Sequence, residues 1–279
     1  MYKEFEGIRK SFSNFKKFEI LDDKEWAKFI DDSIVVLQAG GESSRFRHVM
    51  GGADIQKTAF KLPSGDTMIE LTIDLYKQAG IKNFVVLVCH AADSVRELLG
   101  DGSKYGVDIK YSEEPTPFGS GGAIYYAIKK GIIPKDKTII VHNPDDLILG
   151  NPDFPRYLAS GHVDSVSRGN LMTISVYPTR DYPGSAVMVN KGQVKAIEYH
   201  PQLPIPIHTG ITIISPDMIP LFEKEITSFD HKTEFENLFF PMLAKEDKLG
   251  AVDFPRGEWI PVNDDKMYNR LVDYLEKRK

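Results

Sequence analysis

Glycines and cations follow the first apolar run of the chain, in the segment IVVLQAGGESSRFRHVMGGADIQK of residues 34–57. Residues 34–37 form an apolar run rich in β-branched side chains, which is typical of a strand buried on both faces of a parallel sheet. The Ala-Gly-Gly turn of residues 39–41 lets the backbone approach a ligand closely, so that successive N–H groups can point at phosphate oxygens. Arg45 and Lys57 would add positive charge. The segment therefore predicts a phosphate-binding site.

Two other kinds of glycine loop have spacings that this segment lacks. A Walker A loop needs four residues between its first glycine and a Gly-Lys-Ser/Thr string, and no such string follows Gly41. A dinucleotide loop needs Gly-x-Gly-x-x-Gly, whereas Glu42, Ser43 and Ser44 follow the adjacent glycines here. P-loop ATPases and GTPases are therefore excluded, and a Rossmann dehydrogenase is disfavoured. Taken alone, the glycine pair could also be a tight strand-to-helix turn without a ligand.

A pair of carboxylates follows another apolar run, in the segment KTIIVHNPDDLIL of residues 137–149. Asp145 and Asp146 come directly after the predicted strand, so they would face the same sheet edge as the glycine loop. Carboxylate oxygens in that position suit Mg²⁺ bound together with substrate phosphates. Taken alone, the segment could also be an Asp-rich turn after a strand.

Apolar runs alternate with helical patterns from residue 33 onward. This alternation predicts an α/β fold with a Rossmann-like, mostly parallel sheet flanked by helices, whose strands end at one common ligand-binding edge. From about residue 170 the runs are joined by Pro and Gly, which predicts a smaller antiparallel β region over that edge. The charged, aromatic-rich residues 1–32 predict an N-terminal helical extension, followed by one domain at residues 33–279.

The composition is ordinary for a globular protein, and the charge pattern limits any phosphate chemistry to small molecules. The 279 residues carry a formal charge of -5 without the grouped Lys and Arg that neutralise nucleic-acid phosphates. No stretch approaches the roughly 18 apolar residues of a membrane helix, and the N-terminus lacks the apolar core of a secretory signal. We therefore predict a cytoplasmic protein that binds neither nucleic acid nor membrane. The single Cys89 forbids an intramolecular disulfide and a cysteine metal cluster.

Five segments, in the same order, resemble the NDP-sugar pyrophosphorylases, the nucleotidyltransferases that make sugar nucleotides. LQAGGESSR is similar to their A-G-G-x-G-x-R loop, and QKTAFKLPSGDTMIE is similar to their P-K-x-x-x-P segment. EEPTPFGSGGAI resembles their G-T-a-x-A loop, VHNPDDLI their strand ending in a metal-binding Asp, and HTGITIISPDMI their n-t-G-i-y-i-f-s-p strand. The resemblance covers about residues 33–270, and mannose-1-phosphate guanylyltransferases are the nearest in character.

The resemblance implies transfer of a nucleotidyl group from an NTP to a sugar 1-phosphate, which gives an NDP-sugar and pyrophosphate. It implies Mg²⁺ as cofactor, held by Asp145 and, by similarity to N-acetylglucosamine-1-phosphate uridylyltransferases, by Asn263 with Asp264 in reserve. Arg45 would hold the β and γ phosphates, and Lys57 the α-phosphate. The residues at the family's nucleotide-binding positions are Leu37, Ala39, Gly40, Gly41, Glu114 and Gly119. Those at its sugar-phosphate positions are Gly184, Glu198, His200, Thr209 and Gly210.

The chain departs from the family pattern at several positions. Ser43 and Ser44 replace a glycine and a threonine of the commonest loop, and His200 stands where the family has a lysine. A cation such as Arg180 could assist His200 at the sugar phosphate. These departures leave two alternatives open, namely a non-hexose acceptor such as phosphocholine and a regulatory relative without turnover. A homo-oligomer is also left open.

Glu114 bears on the choice of base. Family members specific for uracil or thymine often place a Gln five residues before the loop glycine, and Glu114 occupies that position relative to Gly119. A carboxylate only accepts hydrogen bonds, and guanine offers two adjacent donors on its Watson–Crick edge. Glu114 therefore favours GTP, with a surface acid on a loop as the alternative.

Overall fold

A computed structural model of the chain describes residues 14–42, 44–178, 180–181, 184–203, 205–254 and 257–277. At residues 45, 180, 181 and 202 the description is limited to the backbone. Residues 1–13 of the predicted N-terminal extension lie outside the described residues. The division of the chain between residues 32 and 33 stays a prediction.

Strands and helices alternate along much of the chain, as the sequence predicts. In chain order the strands are β1 (Ser33–Ala39), β2 (Asn83–Val88), β3 (Asp108–Glu113), β4 (Thr138–His142), β5 (Asp146–Leu149), β6 (Met172–Tyr177), β7 (Arg180–Asp181), β8 (Ser185–Asn190), β9 (Gln193–Tyr199), β10 (Gln202–Leu203), β11 (Ile207–Ile214), β12 (Leu249–Asp253) and β13 (Glu258–Pro261). The α-helices are α1 (Asp23–Asp31), α2 (Met68–Gln78), α3 (Ala92–Leu99), α4 (Gly119–Lys129), α5 (Phe154–Ser167), α6 (Ile219–Glu225), α7 (Phe240–Lys245) and α8 (Asp265–Glu276). Short 3₁₀ segments lie at Ser44–Phe46, Lys57–Ala59, Ser103–Tyr105 and Pro216–Met218, and a π-helical turn lies at Phe235–Phe239.

A seven-stranded sheet, formed by described strands, is the centre of the fold. Its order is β12-β6-β11-β4-β1-β2-β3. β1 pairs in parallel with β2 and β4, β2 pairs in parallel with β3, and β6 pairs in parallel with β12. β11 runs antiparallel to β4 and β6. The predicted α/β class, with a mostly parallel sheet flanked by helices, is confirmed.

Smaller antiparallel pairs lie outside the central sheet, as predicted for the later part of the chain. β8 and β9 form a hairpin, β5 pairs with β13, and β7 pairs with β10. β6 and β11, which the sequence also predicts as strands of this later part, belong to the central sheet. The β5–β13 pair places Asp146 opposite Pro261 and so connects the acidic loop after β4 to the last part of the chain.

Both faces of the central sheet are buried. Val35 and Leu37 of β1 belong to one hydrophobic core, and Ile34 and Val36 belong to a second core. Successive side chains of a strand project to opposite faces, so a strand covered on both sides needs an uninterrupted apolar run. The two cores therefore explain the sequence pattern of β1, and they fix the position of the loop that follows it.

A third, smaller core borders the end of β1. It joins the loop after β1 with the start of α2, with the β5–β13 pair and with α8. Its buried members are Phe46, Met50, Leu62, Met68, Leu147, Ile260, Val262 and Leu271. On the surface, Nε2 of His48 lies 2.6 Å from a carboxylate oxygen of Asp265 at the start of α8. This core therefore sets the loop of residues 44–57 against the segment after β13.

α1 attaches the described part of the N-terminal extension to the domain. A capping box begins the helix, because the side chain of Asp22 accepts from the Glu25 N–H and Glu25 accepts from the Asp22 N–H. Trp26 and Phe29 are buried in the first core, and the Trp26 indole N–H donates to the carbonyl of Ala79 over 3.1 Å. Among the described residues, no helix has the length and apolar character that crossing a membrane requires.

Asp22→Ala should lower the free energy of unfolding by about 1 kcal/mol, because it removes the acceptor that caps the first turn of α1. Urea denaturation measures the change. Lys24→Ala, at an exposed position of the same turn, is the control and should change stability by less than about 0.5 kcal/mol. Equal losses in the two variants would contradict a role for the cap.

Candidate active site

A cavity of about 550 Å³ opens where β1 and β4 end. Its volume lies in the range of small-molecule sites, and its position is the ligand edge of open α/β sheets. The sequence-predicted residues that the structure brings together in its lining are Gly40, Gly41, Lys57, Glu114, Gly119, Asp145 and Asn263.

The glycine loop after β1 passes close to the end of β2. A Cβ atom at Gly40 would lie 3.2 Å from the Cβ of Cys89, which is a tight contact, and 3.5 Å from Oε1 of Glu114, which is an ordinary one. Gln56, which is 2% exposed, donates from Nε2 to the carbonyl oxygen of Gly41 over 2.8 Å. A buried amide therefore fixes the loop in the form that borders the cavity.

Lys57 joins three parts of the chain that are distant in sequence. Its Nζ lies 2.5 Å from Oδ2 of Asp145 and donates to the carbonyl oxygen of Val262 over 2.9 Å. The Val262 N–H in turn donates to the carbonyl oxygen of Asp145 over 2.8 Å. Lys57 is only 9% exposed, so water screens this ion pair weakly. The predicted cation and the predicted carboxylate are therefore held next to each other at the cavity wall.

Asp146 follows this pair and is largely buried. Its Oδ1 accepts from the indole N–H of Trp259 over 3.1 Å, and its Oδ2 accepts from the side-chain amide of Asn143 over 3.4 Å. Burial, together with the negative charge of Asp145, raises the pKa of Asp146. The two adjacent aspartates therefore differ: Asp145 faces the cation Lys57, and Asp146 is held among neutral donors.

His142 supports the loop that carries both aspartates. Its Nε2 lies 2.8 Å from the carbonyl oxygen of Asp146, to which it donates, and its Nδ1 then accepts from the Tyr76 hydroxyl over 3.0 Å. Burial lowers the pKa of His142 to about 4, so the ring is neutral at neutral pH. His142 therefore positions the loop as a neutral ring.

Gly210 of β11 packs against the same loop. Its carbonyl oxygen accepts from the Asn143 N–H over 3.2 Å. Its φ is +72°, and an added Cβ would overlap Oδ2 of Asp146 and lie 2.8 Å from Nδ2 of Asn143. The neighbouring Thr209 is fully buried and donates its hydroxyl to the carbonyl oxygen of Ser175 over 3.2 Å. Only glycine fits at position 210 beside this carboxylate.

Glu114 lies in the cavity wall formed by the loop after β3. It is 7% exposed, and its Oε2 accepts from the Phe118 N–H over 2.7 Å. Burial raises the pKa of Glu114 to about 6, and the negative charge of Glu234 acts in the same direction. The Phe118 N–H and the positive charge of Lys232 oppose the rise. At neutral pH the carboxylate is mostly ionised and can only accept hydrogen bonds.

The start of α4 is occupied by another part of the chain. The N–H groups of Gly121 and Gly122 donate to the carbonyl oxygen of Thr233 over 2.9 and 3.0 Å. The Ser120 N–H donates to Oε2 of Glu234 over 2.6 Å, which places a negative charge at the positive end of the helix dipole. These amides already have partners, so the start of α4 serves as a wall of the cavity.

Sequence reasoning missed the segment that contributes Lys232, Thr233 and Glu234. The three glycines at the start of α4 were the available signal, because an added Cβ at Gly119 would lie 2.7 Å from the carbonyl oxygen of Thr233. Glycines at such spacing indicate that another backbone passes close by. They carry no information about which backbone that is.

Some predicted residues of the nucleotide site lie in the core beneath the cavity. Leu37 and Ala39 are 0% and 1% exposed and are not among the residues that line the cavity, so their nucleotide-binding roles stay predictions. Only the backbone of Arg45 is described, within the 3₁₀ segment after the glycine loop. The proposed role of the Arg45 side chain therefore stays a prediction.

The predicted sugar-phosphate residues fall into two groups. Thr209 and Gly210 lie next to the acidic loop, as described above. Glu198 lies on β9 and His200 directly follows it, and the His200 N–H donates to the carbonyl oxygen of Gly184 over 2.9 Å. The hairpin residues are thus close together but are not among the residues that line the cavity. Their sugar-binding roles stay predictions.

The mostly parallel sheet, with the glycine loop after β1 and the Lys57–Asp145 pair at one edge, defines an α/β protein with a cavity at the ends of its strands. The family described as nucleotidyl transferase matches residues 34–264. The chain belongs to this family.

Curated relatives of the chain include guanyltransferases. Mannose-1-phosphate guanyltransferase of Pichia angusta is 28% identical over 205 residues, which cover 71% of this chain and 53% of that protein. Mannose-1-phosphate guanylyltransferase catalytic subunit beta of Drosophila melanogaster is 23% identical over 244 residues, which cover 82% and 62%. The chain thus spans about half the length of the first of these relatives.

Solved structures share the fold. A putative glucose-1-phosphate thymidylyltransferase from Bacillus anthracis matches with a TM-score of 0.65 at 16% identity, over 87% of this chain and 95% of that one. A UDP-glucose pyrophosphorylase complexed with UDP-glucose matches with a TM-score of 0.64 at 14% identity, over 88% and 99%. At these identities the likeness establishes the fold alone.

The carboxyl of Glu114 should titrate near pH 6 in ¹³C NMR spectra, because burial disfavours its charged form. Glu234→Gln removes a nearby negative charge and should lower this pKa, whereas Lys232→Gln removes a positive charge and should raise it. Glu97→Gln, at an exposed position on α3, is the control and should leave the titration unchanged. Titration at the ordinary value near 4.5 would contradict the buried environment.

Proposed function

We propose that the chain transfers a guanylyl group from GTP to a sugar 1-phosphate, with Mg²⁺ as cofactor and pyrophosphate as the second product. The observation that carries this proposal is the meeting of the glycine loop, the Lys57–Asp145 pair and Glu114 in one cavity. Membership of the nucleotidyl transferase family and the names of the guanyltransferase relatives support the same reaction.

The reaction needs no base from the protein. The second pKa of a phosphate monoester is about 6, so a sugar 1-phosphate is mostly a dianion at neutral pH. One of its oxygens attacks the α-phosphorus of GTP, a new P–O bond forms, and pyrophosphate leaves with the electrons of the broken P–O bond. Consistently, none of the described residues that line the cavity is a histidine or a cysteine. The protein must instead position two anions and neutralise their charge.

Lys57 is suited to the α-phosphate because its position is already fixed. Asp145 and the carbonyl oxygen of Val262 hold the ammonium group at the cavity wall. A charge that is already in place when the transition state forms costs little reorganisation. Lys57 would therefore stabilise the negative charge that builds up on the transferring phosphoryl group.

The oxygen donors of the cavity fit Mg²⁺ bound together with a substrate. The Asp145 carboxylate and the Asn263 side chain line the same cavity, and Mg²⁺ is usually bound by one or two carboxylates plus substrate phosphates. Among the described residues no group of three or more His, Cys, Asp or Glu side chains could hold a metal by itself. Asp145 and Asn263 would therefore hold the ion with phosphate oxygens as further ligands. Bound there, Mg²⁺ supplies positive charge against the phosphate oxygens.

Glu114 supports guanine as the base. An ionised carboxylate accepts hydrogen bonds, and guanine presents N1–H and the 2-amino group side by side. Adenine and cytosine present ring acceptors at the corresponding edge, so they would oppose an acceptor on the protein. The guanyltransferase relatives favour the same choice.

A second candidate function differs in the acceptor. His200 replaces the lysine of the family pattern and follows β9, outside the cavity lining, so the contact to a hexose phosphate is the least supported part of the site. A phosphocholine or polyol-phosphate acceptor is therefore the alternative. A regulatory relative without turnover would not require the buried Lys57–Asp145 pair.

Pyrophosphate release, coupled to a pyrophosphatase, tests the reaction with Mg²⁺, each NTP and a panel of sugar 1-phosphates and phosphocholine. We expect turnover with GTP and a sugar 1-phosphate. Turnover only with phosphocholine would select the second candidate. No pyrophosphate release with any pair of NTP and acceptor would overturn the proposal.

Asp145→Ala should lower kcat/KM by at least about a hundredfold, because assistance from a metal ion is worth several kcal/mol and the variant also frees Lys57. The same pyrophosphate assay measures the loss. Asp153→Ala, an exposed carboxylate at the start of α5, is the control. Thermal melting of both variants separates a catalytic defect from unfolding, and an active, folded Asp145→Ala variant would contradict the assignment.

Glu114→Gln should reduce the preference for GTP over ATP about tenfold, because the amide offers a donor where guanine needs an acceptor. In the wild type this preference should also fall as the pH drops through 6, since protonation of Glu114 turns one of its two acceptor oxygens into a donor. The glutamine variant should show no such dependence. Glu113→Gln, the exposed neighbour that pairs with Arg96, is the control. An unchanged nucleotide ranking in Glu114→Gln would remove Glu114 from base selection.

A further inference from the structure

The segment of residues 230–236 lies outside the motifs that resemble the family, yet it forms one side of the cavity. It lies between α6 and the π-helical turn at Phe235–Phe239, and its last two residues are the first two of that turn. Two of its charged residues, Lys232 and Glu234, line the cavity together with Glu114. The segment therefore adds charges of both signs to the part of the site where Glu114 lies.

Hydrogen bonds hold this segment firmly against the start of α4. The Thr233 N–H donates to the carbonyl oxygen of Phe118 over 2.7 Å, and the Phe235 N–H donates to the Ser120 hydroxyl over 2.9 Å. The N–H groups of Gly121 and Gly122 also donate to the carbonyl oxygen of Thr233, and the Ser120 N–H donates to the Glu234 carboxylate. Phe118 also donates its N–H to Glu114, so one short loop orients the carboxylate and the segment that carries Lys232.

Lys232 and Glu114 offer complementary groups to a ligand. Lys232 is exposed at the cavity rim, and Glu114 is buried in the wall. Burial raises the pKa of both Glu114 and Cys89, and the charge of Lys232 opposes the rise in both. The charge of Lys232 thus acts on the Glu114 carboxylate, and both residues line the same cavity. A planar ligand there would meet an acceptor from the wall and a donor from the rim.

We propose that Lys232 is a specificity-determining residue of the transferase, donating a hydrogen bond to O6 of guanine while Glu114 accepts from N1–H and the 2-amino group. This inference rests on the proposed function. The Watson–Crick edge of guanine carries one acceptor followed by two donors, and the Lys232 and Glu114 pair supplies their counterparts. Hydrogen bonds to charged groups are among the strongest in proteins, so they can discriminate sharply between bases.

The other bases fit this pair less well. Adenine and cytosine place an amino donor where Lys232 also donates, and a ring acceptor where Glu114 accepts. Uracil keeps one acceptor and one donor in the right order but lacks the second donor. The order of preference should therefore be GTP, then UTP, then ATP and CTP.

Glu234 is a positioning residue in this arrangement. Its carboxylate accepts from the Ser120 N–H at the start of α4 and so fixes the backbone two residues after Lys232. Glu234→Ala should weaken base discrimination while leaving the KM of the sugar 1-phosphate unchanged. Glu234→Gln keeps an acceptor for the Ser120 N–H and should restore the discrimination.

The test compares GTP with 6-thio-GTP, in which a weakly accepting sulfur replaces O6 while both donors remain. The wild type should prefer GTP, and Lys232→Ala should abolish about a tenfold part of that preference, the scale of one charge-assisted hydrogen bond. Lys232→Gln, which keeps a donor, should retain more of it. Lys245→Ala, an exposed lysine on α7, is the matched control. Binding of GDP and 6-thio-GDP, measured by calorimetry without acceptor, gives a second readout independent of turnover.

The outcomes separate this inference from the proposed function. If the wild type turns over GTP and Lys232→Ala keeps the full GTP to 6-thio-GTP ratio, the inference is wrong and the transferase stands. A wild type that turns over another NTP better than GTP overturns both the inference and the choice of GTP, and leaves nucleotidyl transfer itself standing. If the wild type neither binds nor turns over any NTP, the proposed function itself fails.

Discussion

The ion pair between Lys57 and Asp145 is the interaction on which the site depends. Through it and the carbonyl of Val262, the loop after β1, the loop after β4 and the segment after β13 meet at one point. The third hydrophobic core packs the same segments from behind. A buried cation without its carboxylate would be costly, so the pair holds the segments together, and in the proposed function it also prepares charge for a phosphate. In the proposed function, the side-chain atoms of Lys57 and Asp145 therefore serve both the stability of the fold and the reaction.

The start of α4 forms a wall of the cavity, and its N–H groups bond to another segment of the chain. Its amides and its positive dipole are satisfied by Thr233 and Glu234, and the three glycines allow that approach. A helix end exposed to the cavity would be available to an anion. Here it closes the wall near Glu114, and the loop after β1 brings Lys57 to the cavity. In the proposed function, the base would therefore lie against the wall near Glu114 and the phosphates near Lys57.

Much of the fold could be predicted from the sequence because its rules are local. The apolar run of β1 reflects burial on both faces, and strand-helix alternation fixes where Lys57 and Asp145 meet. The docking of Thr233 and Glu234 onto α4 could not be predicted, since Ser120 and Glu234 are 114 residues apart and no periodic pattern links them. The burial of Asp146 beside Trp259 was hidden for the same reason. Contacts between distant irregular segments depend on the finished packing.

The contact between Gly210 and Asp146 couples the residue types that two distant positions of the chain can hold. A side chain at 210 would overlap the Asp146 carboxylate, approach the Asn143 amide within 2.8 Å and hold a φ of +72° that favours glycine. Shortening Asp146, by contrast, leaves Gly210 unstrained. The coupling is therefore directional: position 146 can shorten alone, whereas a change at 210 stays unfavourable even after it, because the positive φ and the Asn143 contact remain.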